Sequence, residues 1–329
     1  MKIQILVPHY KEPEEVIKPL LESIALQQSV PMNEIGVIIC HDGPESKDLE
    51  LTNYPFEIVQ IRQEHLGVSA ARNTALDAAT AEYVMFCDAD DMFYNMCGLW
   101  IVFREMEYGF DSLVSLFVEE TRNPETKQVE YINHETDSTF VHGKVHRRQY
   151  LIDKGIRFND KLTIHEDSYF NILAQNLSEN VKYCPTPFYL WRWRDESVCR
   201  HDPKYILKTY RNMLDSNDAL IDEFLRRGIR DKAMFFTALM IFDAYYTMNK
   251  PEWIDQENQE YRSGTELRFA DYYSKHKDMW LKIPVNDKMM ISNQVRSRIV
   301  MEGMHMEAIT IDGWLDHIEK LRKPNTGGI

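Results

Sequence analysis

The chain has 329 residues, 44% hydrophobic and 12% aromatic, enough to bury one large core and a second, smaller one. Its 38 basic against 52 acidic side chains leave a net charge of -14, which argues against nucleic acid as a partner, because binding to a polyanion is driven by phosphate neutralisation. The five cysteines, Cys40, Cys87, Cys97, Cys184 and Cys199, are odd in number and mostly set in apolar runs, which fits buried reduced thiols in a cytoplasmic protein better than a disulfide frame or a zinc site.

Ile3 to Val7 is a short apolar run that predicts a strand; the N-terminus is too short and strand-like for a secretory leader. Glu14 to Gln28 carries Val16, Leu20, Leu21, Ile24 and Leu26 at helical spacing, and Ile35 to Cys40 is again β-rich. Phe56 to Ile61 reads as a third strand, Val68 to Ala79 as an alanine-rich helix and Tyr83 to Cys87 as a fourth strand. This repeated rhythm predicts an α/β fold with a largely parallel sheet and helices on both faces. After a helix at about Met96 to Glu107, the stretch Asp111 to Val141 switches to short alternating strands, Gln128 to Ile132 among them, so the sheet should be mixed and carry an appended hairpin. Ser168 to Leu177 is an amphipathic helix.

Beyond Tyr205 the pattern changes to long amphipathic helices, from Ile206 to Leu225 with a stop at Gly228, then Phe235 to Met248, Leu267 to Leu281 and Met289 to Leu321, with breaks near Pro251 and Pro284. A boundary near residue 204 follows, dividing an α/β domain over 1–204 from a helical domain over 205–329. The longest hydrophobic stretch, Ala233 to Met248, is broken by Thr237, Asp243 and Thr247 and falls short of a transmembrane segment. Peripheral membrane contact stays open, although the acidic balance disfavours anionic lipid. The tail over 323–329 has loop composition.

The junction after the fourth strand carries the most chemistry. Tyr83-Val84-Met85-Phe86-Cys87 empties into Asp88-Ala89-Asp90-Asp91, a buried strand opening into the crevice where parallel sheets bind ligands. If the chain stays extended through Asp90, Asp88 and Asp90 point together and Asp91 faces away. Two like charges so close need a cation between them, and a magnesium or manganese ion carrying phosphate oxygens is the natural candidate; the bland competitor is a solvated turn.

Other strand ends offer a nucleotide pocket. Tyr10, after Val7-Pro8-His9, could stack on a base, and Asp42, before Gly43, could accept hydrogen bonds from a uracil imide or a ribose hydroxyl; either could equally serve a turn. Gly67 to Asn73 opens a helix whose free amides and Arg72 favour phosphate, unless Ser69 merely caps the helix and Arg72 is solvated. Glu166 and Asp167 precede an amphipathic helix, where acids also satisfy the helix dipole.

Taken in order, Val7-Pro8-His9-Tyr10, Asp42-Gly43, Gly67 to Asn73, Asp88-Ala89-Asp90-Asp91 and Glu166-Asp167 resemble a family-two glycosyltransferase over roughly the first two hundred residues. The resemblance implies a Rossmann-like GT-A mixed sheet flanked by helices, followed by a mainly α-helical C-terminal region. It implies metal-dependent, inverting transfer of a single sugar from a nucleotide-diphosphate sugar, UDP-linked, to a hydroxyl of a glycan or surface-polymer acceptor. Asp167 would then be the base and Glu166 its neighbour. Donor contacts would come from Pro8, Tyr10, Glu12, Asp42, Gly43, Arg72, Asn73, Asp88, Ala89 and Arg194. Asp88, Asp90 and His201 would hold Mn2+ or Mg2+. Val141 to Arg148 resembles an acceptor-side segment in which Lys144 reaches substrate, with a solvated basic run as the alternative. Trp191 to His201 resembles a flexible segment that closes over the diphosphate, with arginines on phosphate and tryptophan on a sugar face.

The helical domain would shape the acceptor site or a homo-oligomer interface. Lys11, His41, Pro44 and His65 depart from the family pattern, and all four surround the presumed nucleotide pocket. Two other readings remain: a nucleotidyltransferase, disfavoured because no glycine- and lysine-rich triphosphate loop follows the first strand, and a noncatalytic glycan- or nucleotide-binding protein that kept the fold.

Overall fold

Residues 1–123, 125–134, 139–194, 204–300 and 310–322 are described by the structure, a computed structural model of the chain. The chain divides into two units, Met1–Ser197 and Val198–Ile329.

The first unit is built on a nine-stranded sheet. Strands β1 (Ile3–His9), β2 (Ile35–Asp42), β3 (Glu57–Gln63) and β4 (Tyr83–Phe86) run parallel in the order β3-β2-β1-β4. β5 (Met92–Phe93), β6 (Ser112–Arg122), β8 (Lys144–Arg147) and β9 (Val181–Trp191) continue it as β4-β8-β6-β9-β5, and β7 (Val129–His134) forms the expected hairpin with β6. Alternation decides which side chains meet which helices. Ile3, Ile5 and Val7 join Ile17, Leu20 and Leu21 of α1 (Glu14–Ala25) and Leu99 and Val102 of α3 (Gly98–Met106) in one buried core. On the other face α2 (Val68–Ala78) lies on β1 and β2, and Phe86 packs edge-on against Phe158 and Phe170 of α5 (Glu166–Asn176). α4 (Arg148–Asp153) follows β8 directly.

The parallel register pairs His9 with His41, Asp42 with Gln63 and Leu6 with Phe86, so β1 to β4 all end along one edge. The mixed half holds two surprises. Val141 to His146 is buried, because β8 is an inner strand between β4 and β6; of the basic run Val141 to Arg148 only Arg147 and Arg148 therefore reach solvent, and Lys144 donates to the His142 carbonyl at 3.2 Å. β9 had no strand signature, since Pro185 and Pro187 cannot donate to a ladder; it nonetheless pairs with β6, with a register shift between Ser115 and Phe117.

The second unit is helical: α6 (Tyr205–Arg226), α7 (Arg230–Met248), α8 (Pro251–Ile254), α9 (Gln259–Lys282), α10 (Val285–Val300) and α11 (Ile311–Leu321). α7 packs against α6, α9 and α10, which explains why it is apolar on most sides. α9 begins ahead of the expected Leu267, and the single run expected over 289–321 is two helices. Asp218 ties α6 to α9 by accepting from Arg268, Lys275 and His276 at 2.7 to 2.9 Å. Among the described residues no helix is long and apolar enough to cross a membrane.

Candidate active site

A cleft of about 320 Å³ opens at the edge where the parallel strands end. Of the residues expected on the donor, Pro8, Tyr10, Glu12, Asp42, Arg72, Asp88 and Ala89 line it, together with Asp90 and the start of α2 at Gly67 and Val68.

Asp42 is buried and saturated. Its carboxylate accepts from Gln63 Nε2 and the Leu66 amide at 2.8 Å, from His65 Nδ1 at 2.9 Å and from the Gly67 amide at 3.0 Å. Burial alone would raise its pKa, but these donors outweigh it and hold the carboxyl below its ordinary value. Asp42 thus fixes the loop leading into α2, where Gly67 takes a left-handed φ of 92°. Ser69 does not cap that helix; it is buried. His65 stacks on Tyr10, ring centroids 4.3 Å apart, so Tyr10 already has one aromatic neighbour. Gly43 serves the turn: its φ is 105°, and a Cβ there would meet Glu45 and His65 at 3.0 Å.

The acidic cluster is a turn. β4 stops at Phe86, and the Asp91 amide donates to the Asp88 carbonyl at 3.2 Å, so the extended geometry expected through Asp90 is not adopted. Each of the three acids meets its own partner. Asp88 accepts from Arg72 Nη2 at 2.8 Å, and Asp90 from Arg194 Nη1 at 3.1 Å. Asp91, expected to face away, is buried and accepts from Tyr189 Oη at 2.5 Å and from the Arg192 amide at 3.0 Å. Burial, then Asp90 and Asp88, push the Asp91 carboxyl well above its ordinary pKa. Ligand atoms of Asp88, Asp91 and His142 lie within 4.8 Å of one another, a grouping that includes Asp88 of the expected ligands and adds Asp91 and His142. His201, a further expected ligand, lies outside the described residues.

Arg72 is buried and bridges Asp88 and Glu166, donating from Nη1 to Glu166 at 2.9 Å. Burial opposes its charge, but the two carboxylates outweigh that and raise its pKa. The solvated alternative for Arg72 does not hold. Asn73 does not line the cleft; its amide makes two bonds with the Phe158 backbone, at 2.9 and 3.0 Å, tying α2 to the segment before α5. At the start of α5, after His165 in a left-handed conformation, Asp167 is half-buried with Oδ1 accepting from the Ser168 amide at 2.8 Å. Burial and neighbouring Glu166 push its carboxyl up to about 7, which suits a group that must take and release protons near neutrality. Trp191 packs against Phe140 and His142 at the end of β9. His142 and Tyr189 escaped sequence reasoning because nothing in their spacing ties them to Asp91.

The family model for glycosyl transferase family 2 matches residues 4–173. The chain belongs to that family. It is a glycosyltransferase, which sets aside the nucleotidyltransferase and the noncatalytic reading. The putative glycosyltransferase EpsH of Bacillus subtilis is 24% identical over 244 residues, covering 67% of this chain and 69% of EpsH. Glycosyltransferase GlyA of Streptococcus pneumoniae is 28% identical over 233 residues, covering 60% of this chain but only 32% of GlyA. The crystal structure of Staphylococcus aureus TarS 1-349 in complex with UDP superposes with a TM-score of 0.60 at 18% identity, covering 95% of each chain. The fold of this family-2 chain is accordingly GT-A, with a helical C-terminal region.

Proposed function

We propose that this family-2 enzyme transfers a single sugar, with inversion, from a UDP-linked sugar to a hydroxyl of a glycan or surface polymer. The observation that carries the reading is the convergence of Arg72, Asp88, Asp91 and His142 beside a cleft at the parallel-strand edge, with Asp167 tuned to about 7 nearby. Relatives support the substrate class. TarS of S. aureus is named a poly(ribitol-phosphate) β-N-acetylglucosaminyltransferase, is 27% identical over 188 residues covering 53% of this chain and 32% of its own, and has structures with UDP and with UDP-GlcNAc.

Asp88, Asp91 and His142 would hold a divalent cation. The donor set fits manganese or magnesium in that carboxylates suit hard cations and manganese also accepts an imidazole, and a cation there would replace the proton that burial and the neighbouring acids favour on Asp91. When bound, the ion would offset charge building on the departing diphosphate. Arg72 keeps Asp88 ionised and in place. Asp167 takes the acceptor hydroxyl proton; its Oδ1 is held by the Ser168 amide, which fixes the carboxyl plane at the helix start. Glu166, bonded to Arg72, orients that segment.

A panel of nucleotide sugars with manganese tests the reading. A UDP-sugar is expected to raise the melting temperature and to be slowly hydrolysed to UDP without acceptor, both lost on chelation. No stabilisation by any UDP-linked sugar sinks the donor assignment.

A further inference from the structure

His9 and His41 lie side by side at the ends of β1 and β2, both buried, with their Nδ1 atoms 2.9 Å apart. Their outer nitrogens are each committed. His9 Nε2 is 2.7 Å from the Glu12 carbonyl, which can only accept, so this nitrogen carries a proton. His41 Nε2 is 2.9 Å from Gln60 Oε1. That amide cannot be turned round, because its Oε1 accepts from the Leu49 amide and its Nε2 donates to the Leu49 carbonyl, both at 2.9 Å. His41 Nε2 is therefore protonated as well. The contact between the two Nδ1 atoms then requires a further, shared proton, whereas a neutral pair would bring two lone pairs together.

We infer that His9 and His41 form a buried, singly charged couple sharing one proton, which positions the turn carrying Tyr10 and Glu12 and thereby sets affinity for the donor nucleotide. The positioning role rests on the donor reading above. The turn needs holding: Lys11 has a φ of 65°, unfavourable for a residue with a side chain. It is closed by the His9 bond to Glu12, by the Tyr10 amide donating to Glu12 Oε2 at 2.6 Å and by the Lys11 amide donating to Ser46 Oγ at 3.1 Å. Tyr10 and Glu12 line the cleft.

The charged groups around the couple favour this state. Glu12 Oε2 lies 3.8 Å from His9 Nε2 on the turn, and Asp48 Oδ1 lies 3.8 Å from His41 Nε2 on the β2–β3 connection. Arg62 on β3 opposes it, but its guanidinium is engaged with Asp48 at 2.6 Å and with the Gly43 carbonyl at 2.9 Å. Burial lowers the His41 pKa, an effect that Gln60 and Asp48 oppose. Once the shared proton is lost, the Nδ1 contact turns repulsive, and relieving it means one imidazole gives up Glu12 or Gln60.

Histidine-labelled protein examined by long-range proton–nitrogen NMR from about pH 6 to about pH 9 tests the charge without any ligand. Both Nε2 atoms should report as protonated and the two Nδ1 atoms as sharing one proton, lost in a single step; two bare Nδ1 atoms throughout that range overturn the assignment. UDP affinity should weaken about tenfold across that step. His41→Gln should abolish the step, or His9→Gln if the first variant fails to fold, and an unchanged step in the folded variant overturns the positioning role. UDP binding at no pH overturns the donor reading and the positioning role with it; the proton count tells that failure apart from a wrong charge.

Discussion

Asp42, at the end of β2, and Asp91, just past the end of β4, are both buried acids on one sheet edge, yet their environments pull them in opposite directions. Four donors converge on Asp42 and hold its carboxyl below the ordinary range, whereas burial beside Asp90 and Asp88 drives Asp91 well above it. The first is scaffold: its charge is used up in fixing the approach to α2. The second is a carboxyl whose charge burial and its acidic neighbours disfavour, in a place where a cation would let it ionise. The same contrast separates the parallel half, which shapes the cleft, from the mixed half and α5, which bring in His142, Tyr189 and Asp167.

Breaking the reactive side should have the largest effects. Asp167→Asn should lower turnover with a true acceptor by about 10²–10⁴-fold. In the unmodified enzyme kcat/KM should rise with pH through about 7 as this carboxyl ionises, a limb the variant lacks. The same raised pKa has a stability signature. Its contribution is full below the ordinary carboxyl range and is lost as pH rises through about 7, so a thermal-melt series for Asp167→Asn should fall less steeply over that window. Normal transfer by the variant removes Asp167 from the chemistry.

Asp88→Ala should reduce manganese-dependent hydrolysis of the donor by about 10³-fold, the scale of removing one charge-stabilising group. His142→Ala should weaken metal affinity, read by titrating activity against manganese; an unchanged titration would return the ligand role to Asp90. Arg72→Met leaves Glu166 and part of Asp88 unpaired and should cost about 3–5 kcal/mol in denaturant unfolding. The smallest effect probes the scaffold. Asn73→Ala should cost about 1–2 kcal/mol of stability while leaving the KM for donor unchanged in the folded protein, because its bonds go to Phe158.

Much of the parallel half was legible because its information is local. The apolar runs of β1, β2 and β4, the alanine-rich α2 and the acids after β4 each declare themselves within a few residues, and their order carries the family resemblance. The mixed half was less legible. β9 hides behind two prolines, and β8 looks like a surface segment because its lysine, histidine and arginine advertise charge while the fold encloses Lys144 and His146 between two neighbours. The resemblance implies donor contacts from Asn73 and Gly43; in the structure the Asn73 amide bonds to Phe158 and Gly43 sits in a turn.

By itself, then, the chain determined an α/β unit with an acid-rich crevice at the ends of its parallel strands, because hydrophobic periodicity and strand-end chemistry are short-range. Only the tertiary structure decided how the acids are used. A turn closed between Asp88 and Asp91, rather than an extended strand, brings those two together beside His142 and hands Asp88 to Arg72, Asp90 to Arg194 and Asp91 to Tyr189. Those partners come from 16 to 104 residues away, and such pairings follow from sheet order and burial, which no local pattern encodes.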